Sequence, residues 1–238
     1  MRAASRWVLS LTVLVAACGG EARQAQEPQQ QASEGVEFVP PRDTMEVSGE
    51  GFMGTIPQQK IQDTLEPKMP TFQRCFFQGA EVVSFIGGHI KLYFRVGLDG
   101  HVEWVHPRGS SIGHRGTEQC IVAAAQRTKF PKPRGGGPAE FVWGFEIEPN
   151  GRPPVDWDES RVRSRVEAQA DSLAGCGIED YHYIVTAYVA VGGQVLSAGA
   201  AADSQEAADK IDCVLDAVQG WSLPDPGSFP AKVSFELP

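Results

Sequence analysis

The residue types that most often carry out chemistry in proteins are thinly spread along this chain. Its five histidines include His101 and His106, which lie five residues apart on a predicted strand. Side chains at that spacing point to opposite faces of a sheet, so these two imidazoles are poor partners for one metal ion. The histidines therefore predict no metal site.

Three other motifs have the residue types of a functional site without its spacing. The serines of Gly109–Gly113 lack the Gly-x-Ser-x-Gly context that exposes a nucleophile between a strand and a helix. Gly135–Gly137 has no Lys-Ser or Lys-Thr after it, as a phosphate-binding loop would. The acidic residues within 156–159 lack the twelve-residue pattern of a calcium loop. The sequence therefore predicts no catalytic residues and no cofactor, and it gives no sign of a small-molecule substrate.

The cysteines have the clearest chemical role. Cys18 follows a basic start and the apolar run 7–17, which ends in two alanines. That run has the length of a signal-peptide core and falls short of the ~20 apolar residues that a spanning helix needs. Residues 1–18 are therefore predicted to be a secretory signal.

The last four residues of this segment, Val-Ala-Ala-Cys, resemble the bacterial lipobox. The lipobox cysteine is lipidated and becomes the first residue of the mature protein, so the resemblance implies a membrane anchor on Cys18. By the same resemblance to bacterial lipoproteins, the lack of an aspartate directly after Cys18 implies the outer membrane rather than retention at the inner one. We therefore expect a lipid-anchored cell-envelope protein at the outer membrane, facing the periplasm; the alternative is an ordinary signal peptide beside an incidental Cys18.

Charge and composition narrow the class of protein further. The chain has 238 residues and a net charge of −9. A protein this acidic is a poor candidate for binding nucleic acid, which requires clustered cations. Residues 19–55 have seven acidic and two basic side chains, are rich in Gln, Gly and Pro, and cannot bury enough apolar surface to fold alone. They are predicted to be a disordered tether.

The two halves of the chain share a pattern around their cysteines. Cys120 is followed ten residues later by Phe130-Pro131, and Cys213 ten residues later by Leu223-Pro224. Two branched aliphatic residues directly follow each of these cysteines. Further matches, in the same order, pair 93–96 with 188–191 and 145–147 with 235–237. Four ordered matches indicate an internal duplication.

The periodicity of each segment assigns its secondary structure. Apolar and polar residues alternate over 90–96, as in a strand, and Gly97–Gly100 turns the chain into a returning strand. In the second copy this turn is expected to be two residues shorter. Helices are predicted near 61–77 (broken or delayed by its prolines), 116–128, 162–176 and 204–220. The predicted fold class is α+β, with two tandem small domains of α-β-β-α-β order. Each has an antiparallel three-stranded sheet with two helices on one face.

These assignments divide the chain into five parts. They are the signal peptide 1–18, the tether 19–55, a first domain 56–150, a linker 151–161 and a second domain 162–238.

The remaining four cysteines allow two disulfides with three possible connectivities. In each repeat one cysteine ends the first helix and the other lies in the second helix. Helices that cover the same face of a sheet are neighbours, so a bond between them needs little distortion. We therefore predict that Cys75 is bonded to Cys120 and Cys176 to Cys213. Four reduced cysteines are the alternative.

The pattern resembles a known family. The features that carry the resemblance are a helix ending in cysteine, the Gly-x-Asp-Gly turn at 97–100, the helix with Cys120, and Phe130-Pro131 before a glycine run. They are similar to the C-terminal domain of the AgmX/PglI-type adventurous-gliding-motility proteins of myxobacteria, itself similar to that of TonB energy transducers. The resemblance covers about residues 61–149, and 162–238 is a more diverged match. It implies a protein-contact module in the envelope.

The expected function is that of a non-enzymatic envelope lipoprotein that presents tandem contact domains to an envelope protein partner. Four basic residues near the end of the second helix are its candidate partner surface: Arg127, Lys129, Lys132 and Arg134. A solvated helix end that favours cations is the alternative explanation for them. Two other functions stay open, namely a rigid spacer whose repeats dock on each other and an enzyme with a site between the repeats.

Overall fold

The computed structural model describes residues 53–149 and 151–237, which belong to one compact unit. Cys18 and most of the predicted tether lie outside the described residues. The α-helices are α1 Gln58–Leu65, α2 Met69–Ala80, α3 Arg115–Gln126, α4 Arg163–Glu167, α5 Gln205–Ala208 and α6 Ile211–Gln219, with 3-10 helices at Glu66–Lys68, Glu159–Arg161 and Ala170–Cys176. The strands are β1 Gly88–Val96, β2 Val102–Ser110, β3 Ala139–Ile147, β4 Val155–Trp157, β5 Tyr183–Val189, β6 Val195–Ala202 and β7 Ala231–Glu236.

The first repeat, residues 56–149, is an antiparallel sheet of order β2-β1-β3. Ile90, Leu92 and Phe94 of β1 are fully buried, as the alternating pattern predicts. Helices α2 and α3 supply apolar side chains to the same core. Phe72 of α2 stacks on Phe145 of β3 with 5.4 Å between ring centroids. The predicted α+β class is confirmed.

The second repeat, residues 155–237, has four strands in the order β4-β7-β5-β6. The prediction of three strands is wrong here because Val155–Trp157, assigned to the linker, pairs in parallel with the edge of β7. The amide of Val155 donates to the carbonyl of Pro230 at 3.0 Å. A short β-prone segment beside an open edge gains these backbone partners and covers the edge.

The two repeats share local contacts at a constant offset of 93 residues. The Gln126 amide donates to the Val102 carbonyl at 2.8 Å, and the Gln219 amide donates to the Val195 carbonyl at 2.7 Å. Gly97–Gly100 and Ala190–Gly193 close equivalent turns of the same length, each with a 2.9 Å bond between the end residues. The expectation of a shorter second turn is therefore wrong, and the strand match made from sequence is shifted by two residues.

The first helix of each repeat also departs from the prediction. In the first repeat a 3-10 turn that contains Pro67 separates α1 from α2, and α2 continues past Cys75 to Ala80. In the second repeat the predicted helix is a short α4 followed by a 3-10 helix. Val166 and Leu173 are the buried residues of these two helices, so little apolar surface stabilises a longer regular helix. The helix predicted over 204–220 is divided into α5 and α6.

Both predicted disulfides are present. Cys75 is bonded to Cys120, and Cys176 to Cys213, with Cα–Cα separations of 5.6 and 5.7 Å. Each bond joins the helical segment before the sheet to the helix that follows the hairpin. The two bonds are therefore internal to their repeats.

Candidate functional site

Buried hydrogen bonds join the two repeats. The segment that follows β2 lies against the sheet of the second repeat. The Thr186 hydroxyl donates to the Ser110 carbonyl at 3.1 Å, and the Ser197 hydroxyl donates to the Gly113 carbonyl at 2.8 Å. Thr186 and Ser197 are both buried. Small side chains on this sheet face therefore leave room for the backbone of the first repeat.

Tyr188 of β5 ties the second repeat to the loop before β1. Its hydroxyl accepts from the Gly87 amide at 3.1 Å and lies 3.2 Å from the Gly87 carbonyl, to which it donates. The Lys232 ammonium donates to the same carbonyl at 2.7 Å. Tyr188 has no exposed surface and packs within the core of the first repeat. The two repeats are thus joined by shared core packing as well as by hydrogen bonds.

Glu118 of α3 is the fully buried carboxyl of this contact. The Ser110 hydroxyl donates to it at 2.6 Å, and the Ala200 amide of β6 donates to it at 3.1 Å. Gly199 makes room for it, since a Cβ there would lie 2.3 Å from Glu118 Oε1. Burial raises the pKa of Glu118 to about 7. A carboxyl with this pKa changes its protonation state near neutral pH.

One part of the inter-repeat contact joins equivalent positions of the two repeats. Gln119 and Asp212 each precede the cysteine of their helix by one residue, so they are equivalent positions. The Gln119 amide donates to the Asp212 carboxylate at 3.0 Å, and Arg115 also bonds that carboxylate, at 2.7 Å. Contacts between equivalent residues arise when two copies of one surface face each other. The two repeats therefore meet at this point through equivalent helix positions.

A second feature is a cleft of about 390 Å³ between the repeats. Gly88, Ser111 and Lys232 line it, and His89 lies next to Ser111. Ser111 Oγ lies 2.9 Å from His89 Nδ1 and accepts a hydrogen bond from the backbone amide of His89 at 3.0 Å. Burial lowers the pKa of His89 and of Lys232.

A hydroxyl beside a neutral imidazole is the pair that nucleophilic catalysis uses. Within the described residues, however, no carboxylate accepts a hydrogen bond from the second ring nitrogen of His89, which a triad requires to orient the base. The pair instead joins the end of β2 to the start of β1, since the Ser111 amide donates to the His89 carbonyl at 2.8 Å. We assign it a structural role.

The candidate partner residues lie away from the inter-repeat contact. Arg127, Lys129, Lys132 and Arg134 are all exposed and follow the end of α3. The backbone of Lys129 bridges that of His101 beside the hairpin turn, and Arg134 exchanges two backbone hydrogen bonds with Thr55. The structure therefore spreads the four cations along one edge of the first repeat, where the described chain begins.

The histidines and acidic residues do not assemble into a metal site in the part of the chain that the structure describes. No group of three or more His, Cys, Asp or Glu side chains there is arranged to hold an ion. Over residues 53–149 and 151–237, no helix has both the length and the apolar content that crossing a bilayer requires.

Sequence reasoning missed Glu118, the centre of the inter-repeat contact. A signal was present: Glu118, Ile121 and Ala125 are spaced as one face of a helix, and all three are buried. An acidic residue on the apolar stripe of a helix indicates a buried carboxyl with a specific partner. The partner amide on Ala200 is 82 residues away and has no counterpart in the local pattern.

Comparisons of this chain with protein-family models, with curated proteins and with solved structures found no match. The function is therefore inferred from the chain's own residues.

Proposed function

We propose that this protein is a non-enzymatic lipoprotein of the cell envelope. In this proposal its two repeats form one contact unit and the basic edge of the first repeat binds an acidic protein partner. The observation that carries the proposal is the position of the four cations. The inter-repeat contact is made by Ser110, Gly113 and Glu118, so docking of the repeats leaves Arg127, Lys129, Lys132 and Arg134 exposed.

The α-β-β-α-β order of the first repeat supports the further proposal that each repeat is a domain like the C-terminal domains of AgmX/PglI-type proteins and TonB. Those domains are protein-contact modules. This agrees with the proposal that an exposed surface, rather than a catalytic cleft, carries the function. The anchor on Cys18 would hold this unit at the outer membrane.

Charge reversal tests the partner surface. The variant Arg127→Glu/Lys132→Glu/Arg134→Glu is compared with the matched reversal Lys68→Glu/Arg74→Glu/Arg165→Glu, whose residues are also exposed. With equal amounts of intact protein as bait in envelope extract, we expect the first variant to lose a partner that the wild type and the control retain. Added salt should weaken the wild-type capture, because exposed charges are screened beyond roughly 8 Å at physiological ionic strength.

Thermal unfolding separates the two interpretations of that result. Because the reversed residues are exposed and lie outside the inter-repeat contact, the charge-reversal variant should unfold at nearly the same midpoint temperature as the wild type. Capture equal to that of the wild type would remove the basic edge as the partner surface. A large fall in the midpoint would instead give these residues a structural role.

A rigid spacer is the second candidate function, and one observation favours it. The inter-repeat contact contains a core tyrosine, a buried carboxyl and an ion pair between Arg115 and Asp212. A spacer needs this stiffness but no partner at the basic edge. Charge reversal that changes no interaction, with an intact inter-repeat contact, would favour the spacer.

A further inference from the structure

The described chain begins directly beside the basic edge of the first repeat. The Thr55 amide donates to the Arg134 carbonyl at 2.8 Å, and the Arg134 amide donates to the Thr55 carbonyl at 2.9 Å. Gly54 lies against the glycine run that follows Arg134, since a Cβ on Gly54 would be 2.1 Å from the Gly137 carbonyl oxygen. The residues before Met53 are therefore joined to the fold next to these cations.

The second repeat contains an equivalent segment. The Gly54 amide donates to the Pro138 carbonyl at 2.9 Å, and the Val155 amide donates to the Pro230 carbonyl at 3.0 Å. Gly54 and Val155 each pair in parallel with the first residue of the last strand of their repeat. Gly54 and Val155 are therefore equivalent positions.

The residues before Val155 show which surface the entering chain follows. Arg152, three residues earlier, lies over the Phe229 ring at 4.1 Å. Phe229 belongs to the loop that leads into β7, and the corresponding loop of the first repeat contains Lys132 and Arg134. The equivalent path in the first repeat therefore lies against these two cations.

The charges along this path are exchanged between the repeats. In the second repeat the entering residue is Arg152 and the loop contains Asp225. In the first repeat the loop is basic, and residues 43–52 have no basic side chain and three acidic ones, Asp43, Glu46 and Glu50. Among the described residues, no carboxylate forms an ion pair with the four cations of the basic edge. Residues 43–52 thus have the charge that these cations attract.

The covalent connection keeps this acidic segment within reach of the basic edge. An extended chain spans at most about 3.6 Å per residue, so Glu50 stays within roughly 11 Å of Met53 and Glu46 within roughly 25 Å. A segment joined through so short a link has an effective concentration on the order of millimolar. Even weak binding of the segment therefore occupies much of the basic edge.

We propose that residues 43–52 of this chain bind the basic edge and compete there with the acidic protein partner. The competition rests on the proposed function, whereas binding of the segment to the edge does not. While the segment is bound, the apparent affinity of the partner falls in proportion to the fraction of free edge. The competition thus selects partners that offer the edge more than the three carboxylates of the segment.

Cross-linking of the intact protein tests the binding of the segment. A carbodiimide joins a carboxylate to an amine as an amide, and mass spectrometry of the digest identifies the joined residues. We expect Glu46 and Glu50 to be linked to Lys129 and Lys132 within one chain, several-fold more often than to Lys68, an exposed lysine of the same repeat. These links should be lost at about 1 M salt, where the Debye length is about 3 Å.

Partner capture from envelope extract tests the competition. The acidic segment is neutralised in the full chain by the variant Asp43→Asn/Glu46→Gln/Glu50→Gln. The matched control neutralises three exposed carboxylates elsewhere, Glu66→Gln/Glu81→Gln/Glu167→Gln. We expect the first variant to bind the partner about twofold or more tightly than the wild type, because the edge is no longer occupied. The control should bind as the wild type does.

Three results would overturn the proposal. The first is linkage to Lys129 and Lys132 no more frequent than linkage to Lys68. The second is a cross-linked product of twice the chain mass, which would assign the edge to the segment of a second copy. The third is equal partner capture by the neutralised variant and the wild type. If no protein captures a partner, the acidic partner of the proposed function is wrong, and the cross-links alone decide whether the segment binds the edge.

Discussion

At the scale of single residues, Glu118 couples pH to the contact between the repeats. Burial raises its pKa from an ordinary 4.5 to about 7 in the folded protein. Below pH 4.5 the carboxyl is protonated in both the folded and the unfolded chain. Between pH 4.5 and 7 the unfolded chain loses the proton first, so the free energy of unfolding falls as pH rises. This fall amounts to about 3 kcal/mol and is complete above pH 7.

Glu118→Gln tests this coupling because glutamine has no proton to lose. Relative to the wild type, the free energy of unfolding of the variant should rise by about 3 kcal/mol between about pH 4.5 and pH 8. Denaturant titrations at several pH values measure the difference. The lowered pKa of His106 gives the opposite pH dependence, but both proteins contain it and it cancels. Parallel pH profiles for the two proteins would contradict the assignment.

Gly199 is a second residue whose identity the inter-repeat contact fixes. An alanine Cβ there would lie within 2.6 Å of all three terminal carboxyl atoms of Glu118. Since β6 and α3 are both held by packing, we expect Gly199→Ala to lower the free energy of unfolding by about 1–3 kcal/mol. Gly175→Ala is the matched control, because its Cβ would meet nothing within 4 Å. Equal stabilities of the two variants would show that the carboxyl has room to move.

At the scale of elements, each disulfide joins two helical segments that cover one sheet. The bonded cysteines are 45 residues apart in the first repeat and 37 in the second. Closing loops of this length is worth about 4 kcal/mol in the chain-entropy account. These bonds therefore contribute a large share of the stability of two small sheets.

Replacing Cys176 and Cys213 by alanine tests how far this stabilisation extends. We expect the free energy of unfolding to fall by about 4 kcal/mol. The backbone amides of β1 should lose hydrogen-exchange protection together with those of β5, because Tyr188 of β5 packs in the first core. Loss of protection confined to the second repeat would mean that the repeats unfold independently.

At the scale of the whole molecule, the proposed lipid anchor on Cys18 would hold the two repeats at a membrane. Cys18→Ser should move the protein from the membrane fraction to a soluble exported fraction, or leave it held by an uncleaved signal. Fractionation with immunoblotting measures this, and the apparent mass reports cleavage. Normal processing together with unchanged membrane sedimentation would be incompatible with a lipid anchor on Cys18.

The sequence by itself determined the features that depend on neighbours along the chain. Alternating apolar residues over 90–96 define one buried face of a strand, because the alternation of side chains along a strand is a local effect. The cysteine spacing also indicated the two disulfides, since each bond lies within one repeat. The exact register between repeats was not recovered, because residue matches alone cannot distinguish a shift of two along a strand.

The tertiary structure alone decided how the repeats meet. β4 forms because the edge of β7 is open beside it, and Glu118 is buried because Ala200 and Gly199, some 80 residues away, accommodate it. His106 of β2 is likewise buried beside Gln205, a residue of the other repeat. Contacts between distant segments depend on the packing of whole surfaces, and no local pattern in the chain encodes that packing.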